Sequence, residues 1–188
     1  MDNRAKIISS ALRLFAARGY DAVGIQEIVD AAGITKPTLY HYFGSKEGLL
    51  AALLDTYFTE LYQSVREASA YQHDLPLALN RITLAYFHFA DKRRAYYRMQ
   101  LSMWFAPVDS VPFKAVAELN QKQQQLLEDL FLQAANDHGN MKGRHQMYAA
   151  TFLGMINTYI SLSLNGYASM DDELVYKAVH QFMHGIFS

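Results

Sequence analysis

An all-α chain of nine helices, with a three-helix helix-turn-helix domain at its start, is the fold class the sequence predicts, on three observations. Apolar residues recur at the three-to-four spacing of a helix face along most of the chain. Cap residues and glycines punctuate those stripes where helices should begin and end. No Val/Ile/Thr-rich alternating run stands between turn signals, so a sheet has little to build on.

The first helix is expected from about Arg4 to Arg18, striped by Ile7, Ile8, Ala11, Leu12 and Phe15 and ended by Gly19. A short second helix over 25–31 turns Ile25, Ile28, Val29 and Ala32 inward, and Gly33 allows a left-handed turn. Thr35 caps a third helix with Pro37 in its first turn, where a missing N–H costs nothing. Ser45 caps a long fourth that runs through Leu49, Leu50, Leu53, Leu54, Tyr57, Phe58 and Leu61.

Asp74 with Pro76 opens a fifth helix over 75–90, and 91–105 reads as a sixth. Pro107 and Pro112 bracket the loop that follows. A seventh helix is expected over 114–135, its "NQKQQQ" run forming a solvated face, and after the loop "NDHGNMKG" an eighth over 144–164. Ser169 with Asp172 three residues on makes a capping box for the ninth.

At 188 residues, 51% apolar and 19% charged, the chain can bury a substantial core. The absence of cysteine excludes disulfides, thiolate metal sites and a cysteine nucleophile. The first 15 residues mix charge into apolar positions, unlike a secretory leader, so a cytoplasmic location is expected. Residues 146–170 carry no charge and are long enough to cross a bilayer, but Thr151, Asn157, Thr158, Ser161 and Ser163 interrupt the run. The expectation is no membrane span and a helix buried in an interface.

The third helix carries an unusual outer face. At about 100° per residue, Leu39 and Phe43 point one way and Pro37, Thr38 and His41 the other, with Tyr40 and Tyr42 on the flanks. A solvated face would carry Lys, Glu and Gln. Methyl groups, a proline ring and an imidazole instead suit the major groove of duplex DNA, where thymine methyls meet apolar atoms and Lys36 or His41 can reach base edges. Tyr40 and Tyr42 are placed to donate to phosphates, and Lys46 adds charge at the start of the next helix. With the Thr35 cap, the candidate DNA-binding set is Thr35, Lys36, Pro37, Thr38, Tyr40, His41, Tyr42 and Lys46.

Residues 11–50 resemble the N-terminal domain of the TetR (tetracycline repressor) family of bacterial transcription regulators, with Phe15, Gly19-Tyr20, Ile28, Ala32-Gly33-Ile34, Leu39-Tyr40, Phe43, Lys46 and Leu49 in register. The resemblance implies a homodimer of nine-helix subunits, a palindromic operator and a ligand cavity in the C-terminal domain. It places the DNA-binding domain at 1–46 and a ligand-binding and dimerisation domain at 47–188. Gly24 stands where the family usually has a capping threonine that also touches a phosphate, and Val29 replaces the usual alanine. Residues 1–50 hold six Lys/Arg against five Asp/Glu, so DNA affinity must rest on local contacts and on pairing two subunits rather than on bulk charge.

A ligand-controlled switch needs a cavity, for which helices five to eight offer aromatic and methionine walls. The candidates are Tyr62 just upstream, Tyr86 and Phe89, then Met99, Met103 and Trp104, then Phe113 and Phe131, then Phe152 and Met155. The same residues serve equally as packing. Such a cavity would take a small apolar or aromatic effector, oriented by Gln100, Asn80, Arg81 or His88.

Dimerisation is expected through the last two helices, along Ala150, Gly154, Asn157 and Ser161 of the eighth and Leu174, Val175, Ala178, Val179, Phe182, Met183 and Ile186 of the ninth. His180 and His184 have the spacing of two metal ligands, but Gln181 stands where a hydrolytic HExxH site has glutamate. No phosphate-cradling glycine loop or GxSxG turn occurs. A regulator, most simply a repressor, is expected rather than an enzyme, with no metal and no cofactor. The competing reading is a helical adaptor or enzyme that uses the helix-turn-helix for protein contacts.

Overall fold

The computed structural model describes residues 2–185, and every regular element among them is helical. The order is α1 (Asn3–Arg18), α2 (Ile25–Ala32), α3 (Lys36–Phe43), α4 (Lys46–Ala68), α5 (Leu75–Lys92), α6 (Arg94–Trp104), α7 (Val111–Asp137), α8 (His145–Leu164) and α9 (Asp172–His184). Nine α-helices and one short 3-10 turn, Gly139–Met141, thus make up the described residues. No helix among them is long and apolar enough to cross a membrane.

Several boundaries differ from the sequence reading, each for a local reason. Asp91 and Lys92 complete α5, and α6 starts only at Arg94. Pro112 does not bracket a loop: it sits in the first turn of α7, which tolerates its missing donor, and Ser110 Oγ accepts the Phe113 N–H at 3.3 Å. The ninth helix is capped by Asp171, whose carboxylate accepts the Leu174 N–H at 2.8 Å, and not by Ser169. Ile186, counted on that helix's stripe, lies outside the described residues.

The chain divides into two compact units, Met1–Thr59 with Arg94–Leu119, and Glu60–Arg93 with Asn120–Ser188. In the first, Ile7, Ile8 and Phe15 of α1, Ile28 of α2, Leu39 of α3, Leu49, Leu50 and Leu53 of α4, and Tyr96 and Met99 of α6 are buried. This core fixes the helix-turn-helix, because α1 packs against α2, α3 and α6.

In the second unit, Leu79, Ile82 and Tyr86 of α5, Leu127 and Phe131 of α7, Phe152 and Ile156 of α8, and Ala178 and Val179 of α9 are buried. The expected solvated "NQKQQQ" face is interrupted at Gln123, which is buried and accepts the Tyr86 hydroxyl at 2.9 Å. Burial pushes the Tyr86 phenol far above its ordinary range, so it remains a donor. Tyr86→Phe is expected to strand the Gln123 amide oxygen and destabilise this unit by about 1–3 kcal/mol, read as a lowered urea midpoint.

Glu60 bridges to Lys92 at 2.8 Å and Arg93 at 3.0 Å within the same unit. The hydrogen bond from Lys92, and secondarily that from Arg93, holds its carboxyl below the ordinary glutamate range despite some desolvation. A depressed folded-state pKa adds stability above the ordinary glutamate pKa and loses it as pH falls through the folded value. Glu60→Gln should therefore lower the melting temperature at pH 7, by roughly 2–4 °C, with the deficit closing towards pH 3.

Candidate nucleic-acid interface

The turn between α2 and α3 is built on Gly33, whose φ of +64° is left-handed. Its N–H bonds the Asp30 carbonyl at 3.2 Å, and the Ile34 N–H bonds Val29 at 3.0 Å, which closes α2. α2 is preceded by Gly24, which has no side chain to cap it. Glu27 serves instead, accepting the Gly24 N–H at 3.0 Å while paired with Arg18. The bond from Arg18, then that from Gly24, holds the Glu27 carboxyl below its ordinary range, so the cap stays charged. Val29 fits the core at 2% exposure.

Thr35 Oγ1 accepts the Thr38 N–H at 3.4 Å and lies 2.9 Å from Thr38 Oγ1, so both hydroxyls are engaged and the Thr38 methyl remains for apolar contact. Leu39 is fully buried and Phe43 partly so. On the opposite side Lys36, Pro37 and His41 are exposed, with Tyr40 at 47% and Tyr42 at 39% exposure beside them. The His41 and Tyr42 rings meet edge to face, with centroids 5.5 Å apart. One connected rim therefore carries Lys36, Pro37, Tyr40, His41 and Tyr42.

Lys46 is directed elsewhere. Its ammonium donates to the Tyr20 carbonyl at 2.7 Å and lies 4.0 Å from the centroid of the Tyr20 ring. Desolvation lowers its pKa, partly offset by Asp21, Glu47 and Glu27, and the ammonium ties the start of α4 to the loop before α2. The Tyr20 phenol is pushed up to about 12, chiefly by burial and then by Glu47 and Asp21. A partner 26 residues away leaves no local signal at Lys46.

Two further supports of α3 were also silent in the sequence. The Arg4 guanidinium lies 5.8 Å from the Phe43 ring centroid, bracing the end of α3 from α1. Gly48, in the first turn of α4, packs so tightly that a Cβ there would stand 2.0 Å from the Phe43 carbonyl oxygen. Helical periodicity treats a glycine at that place as an ordinary helix position.

The residues expected to line an effector cavity divide between the two units. In the first, Met99 and Met103 are buried, and Trp104 stacks on Phe113 with centroids 5.8 Å apart. In the second, Tyr86, Phe89 and Phe152 are core residues and Tyr62 is half-buried. Phe131 lines a cleft of about 300 Å³, and Met155 a shallower groove of about 340 Å³ with Thr158 and Tyr159. Asn80 donates to the Pro76 carbonyl at 2.8 Å, Arg81 and His88 are exposed, and Gln100 is buried. The His180 and His184 rings lie 4.5 Å apart, and no group of three or more metal-ligating side chains occurs among the described residues.

A short helix anchored by one leucine, following a left-handed glycine turn and presenting an exposed, largely aromatic rim, defines a helix-turn-helix element of the kind that enters a DNA groove. Residues 7–53 match the family model described as bacterial regulatory proteins, tetR family. The chain is 26% identical over 184 residues to the HTH-type transcriptional activator FasR of Mycolicibacterium smegmatis, covering 98% of this chain and 82% of that protein. It is 28% identical over 123 residues to the HTH-type transcriptional repressor KstR2 of Rhodococcus jostii, covering 65% of this chain and 60% of the relative. The fold matches the regulator FadR of Bacillus subtilis, solved in complex with stearoyl-CoA, at a TM-score of 0.81 and 17% identity over 97% of this chain and 98% of that one. The family match thus falls on residues 7–53, which hold most of α1, all of α2 and α3 and the start of α4.

Proposed function

We propose that the chain is a ligand-responsive transcription regulator, a repressor that binds a palindromic operator as a homodimer and leaves it when a small apolar or aromatic ligand binds. Residues 1–46 form the DNA-binding domain in this reading, and 47–188 the ligand-binding and dimerisation domain. The observation that carries it is the exposed rim of α3 opposite a fully buried Leu39. Pro37 and the Thr38 methyl meet thymine methyls, Lys36 and His41 reach base edges, and Tyr40 and Tyr42 donate to phosphates on either side. Thr35 and Lys46 act by holding the rim in place, through the cap and through the Tyr20 carbonyl.

The uncharged length between Arg144 and Asp171 supports the dimer, because Met147, Ala150, Gly154 and Thr158 leave an exposed face on α8 with no charge to desolvate. Two copies of α8 and α9 make a four-helix bundle about a two-fold axis. Sedimentation at micromolar concentration tests it, and a monomer would contradict it. The relatives' names include both an activator and a repressor, so the sign of the effect is read from a reporter gene. The location proposed is the cytoplasm, where the operator would be. A gel shift on the DNA upstream of the chain's own gene tests the reading: a saturable, sequence-dependent shift supports it, and none up to micromolar protein would refute it.

A further inference from the structure

The cleft of about 300 Å³ in the second unit lies at the start of α5, the end of α7 and parts of α8 and α9. The fully buried Leu79 and Phe131 form its floor, with Tyr148 and Phe182 beside them. Met141 and the half-exposed Met183 also line it, and its polar lining is His138 and Asn140. That size is at the lower end for small-molecule sites, and mostly apolar walls with few polar groups describe such sites.

Basic side chains gather along one edge of it. His138, Lys142, Arg144 and His145 follow one another closely, and no Asp or Glu occurs from 138 to 170. The first turns of α5 and the last turn of α9 add no acid either. Of the two acids at this end, Asp74 is engaged in capping α5 through the Leu77 N–H at 2.9 Å. Asp137 accepts the Tyr71 hydroxyl at 2.7 Å and lies 2.8 Å from His73 Nδ1. Those two contacts, Tyr71 first, hold the Asp137 carboxyl below its ordinary range. They also pin the segment before α5, where His73 adopts a left-handed φ of +60°, to the end of α7. The edge of the cleft is thus built by contacts of its own.

We infer that this cleft is the effector site and that its ligand is an amphiphilic anion, an apolar body seated on Leu79 and Phe131 with its negative head at His138, Asn140 and the Lys142–Arg144 segment. The inference rests on the ligand-responsive reading above and narrows it in class and in place. A carboxylate or a phosphorylated headgroup shares the required chemistry.

Decanoate, decanol and decyltrimethylammonium, titrated calorimetrically into the full chain at submicellar concentration, compare one apolar body with three heads. Decanoate should bind one site per chain, and the neutral and cationic analogues about tenfold more weakly or less, the worth of one charge-assisted hydrogen bond. Decyl phosphate in parallel separates a phosphorylated head from a carboxylate, and tighter binding of either anion is consistent with the site. Met183→Trp, which fills the cleft, and the double variant His138→Glu/Lys142→Glu, which reverses its edge at exposed positions, should each weaken decanoate at least about tenfold. Helical circular dichroism checks that each variant is folded. Equal binding of all three heads, native-like decanoate binding by the folded variants, or no saturable binding would overturn the inference. Ligand-free DNA binding by the His138→Glu/Lys142→Glu variant reports on the regulator reading independently, since neither residue lies on α3 or on the dimerisation faces of α8 and α9.

Discussion

Replacing Gly48 with alanine is expected to destabilise the first unit by about 1–3 kcal/mol, the usual cost of forcing extra volume into a packed place. A Cβ at this position would stand 2.0 Å from the Phe43 carbonyl oxygen and 3.2 Å from the Phe43 carbonyl carbon. Both are backbone atoms, so no side chain can swing aside. The same oxygen accepts the Ser45 N–H at 2.8 Å, and the Gly44 N–H bonds Tyr40 at 2.9 Å. Relief of the clash must therefore move the corner between α3 and α4. A thermal melt reads the loss of stability, and a gel shift on the operator should show weakened binding because the rim has moved. An unchanged melt together with unchanged DNA affinity would show that the corner yields freely.

The second large effect concerns the rim. Tyr40→Phe removes one hydroxyl from a side chain that is 47% exposed, so the fold should be unaffected. DNA affinity should fall by about 1–3 kcal/mol, and nearly equally for all sequences, because a phosphate contact carries no base information. His41→Ala should cost about as much at the base pairs it faces and relax preference there, leaving nonspecific affinity little changed. Fluorescence anisotropy on the operator and on a scrambled duplex separates the two patterns. If both variants lose affinity in parallel on both duplexes, the division into phosphate and base contacts is wrong.

The helices and the motif were legible because their signals are local. Thr35 with Pro37 and Asp74 with Pro76 announce helix starts within one turn, and the Leu39/Phe43 stripe separates the inner face of α3 from the outer. Where two readings competed, local sequence did not decide between them. Pro112 marks a first turn as readily as a loop, and Ser169 and Asp171 both offer a capping oxygen, of which only geometry selects Asp171.

What joins distant residues was not legible at all. The Lys46 bond to Tyr20, the support of Phe43 by Arg4, and the close approach of Gly48 to Phe43 depend on how helices meet. The effector cleft shows the same limit. Aromatic and methionine residues at helical spacing suggested Tyr86 and Phe152, which the structure buries in the core, whereas the cleft draws on Pro76, Asn140 and Met183 from segment ends. Periodicity records which face of a helix is apolar, and not whether that face meets a neighbour or an empty space.

Selection from random duplex DNA tests the central claim most directly, run in parallel with the native chain and with His41→Ala. The account predicts that the native chain enriches an inverted repeat whose half-sites lie one helical turn, about 10 base pairs, or a small multiple of it apart, and that His41→Ala relaxes the same position in both half-sites. Enrichment of no sequence, or of a site that His41→Ala leaves unaltered at every base, would contradict it.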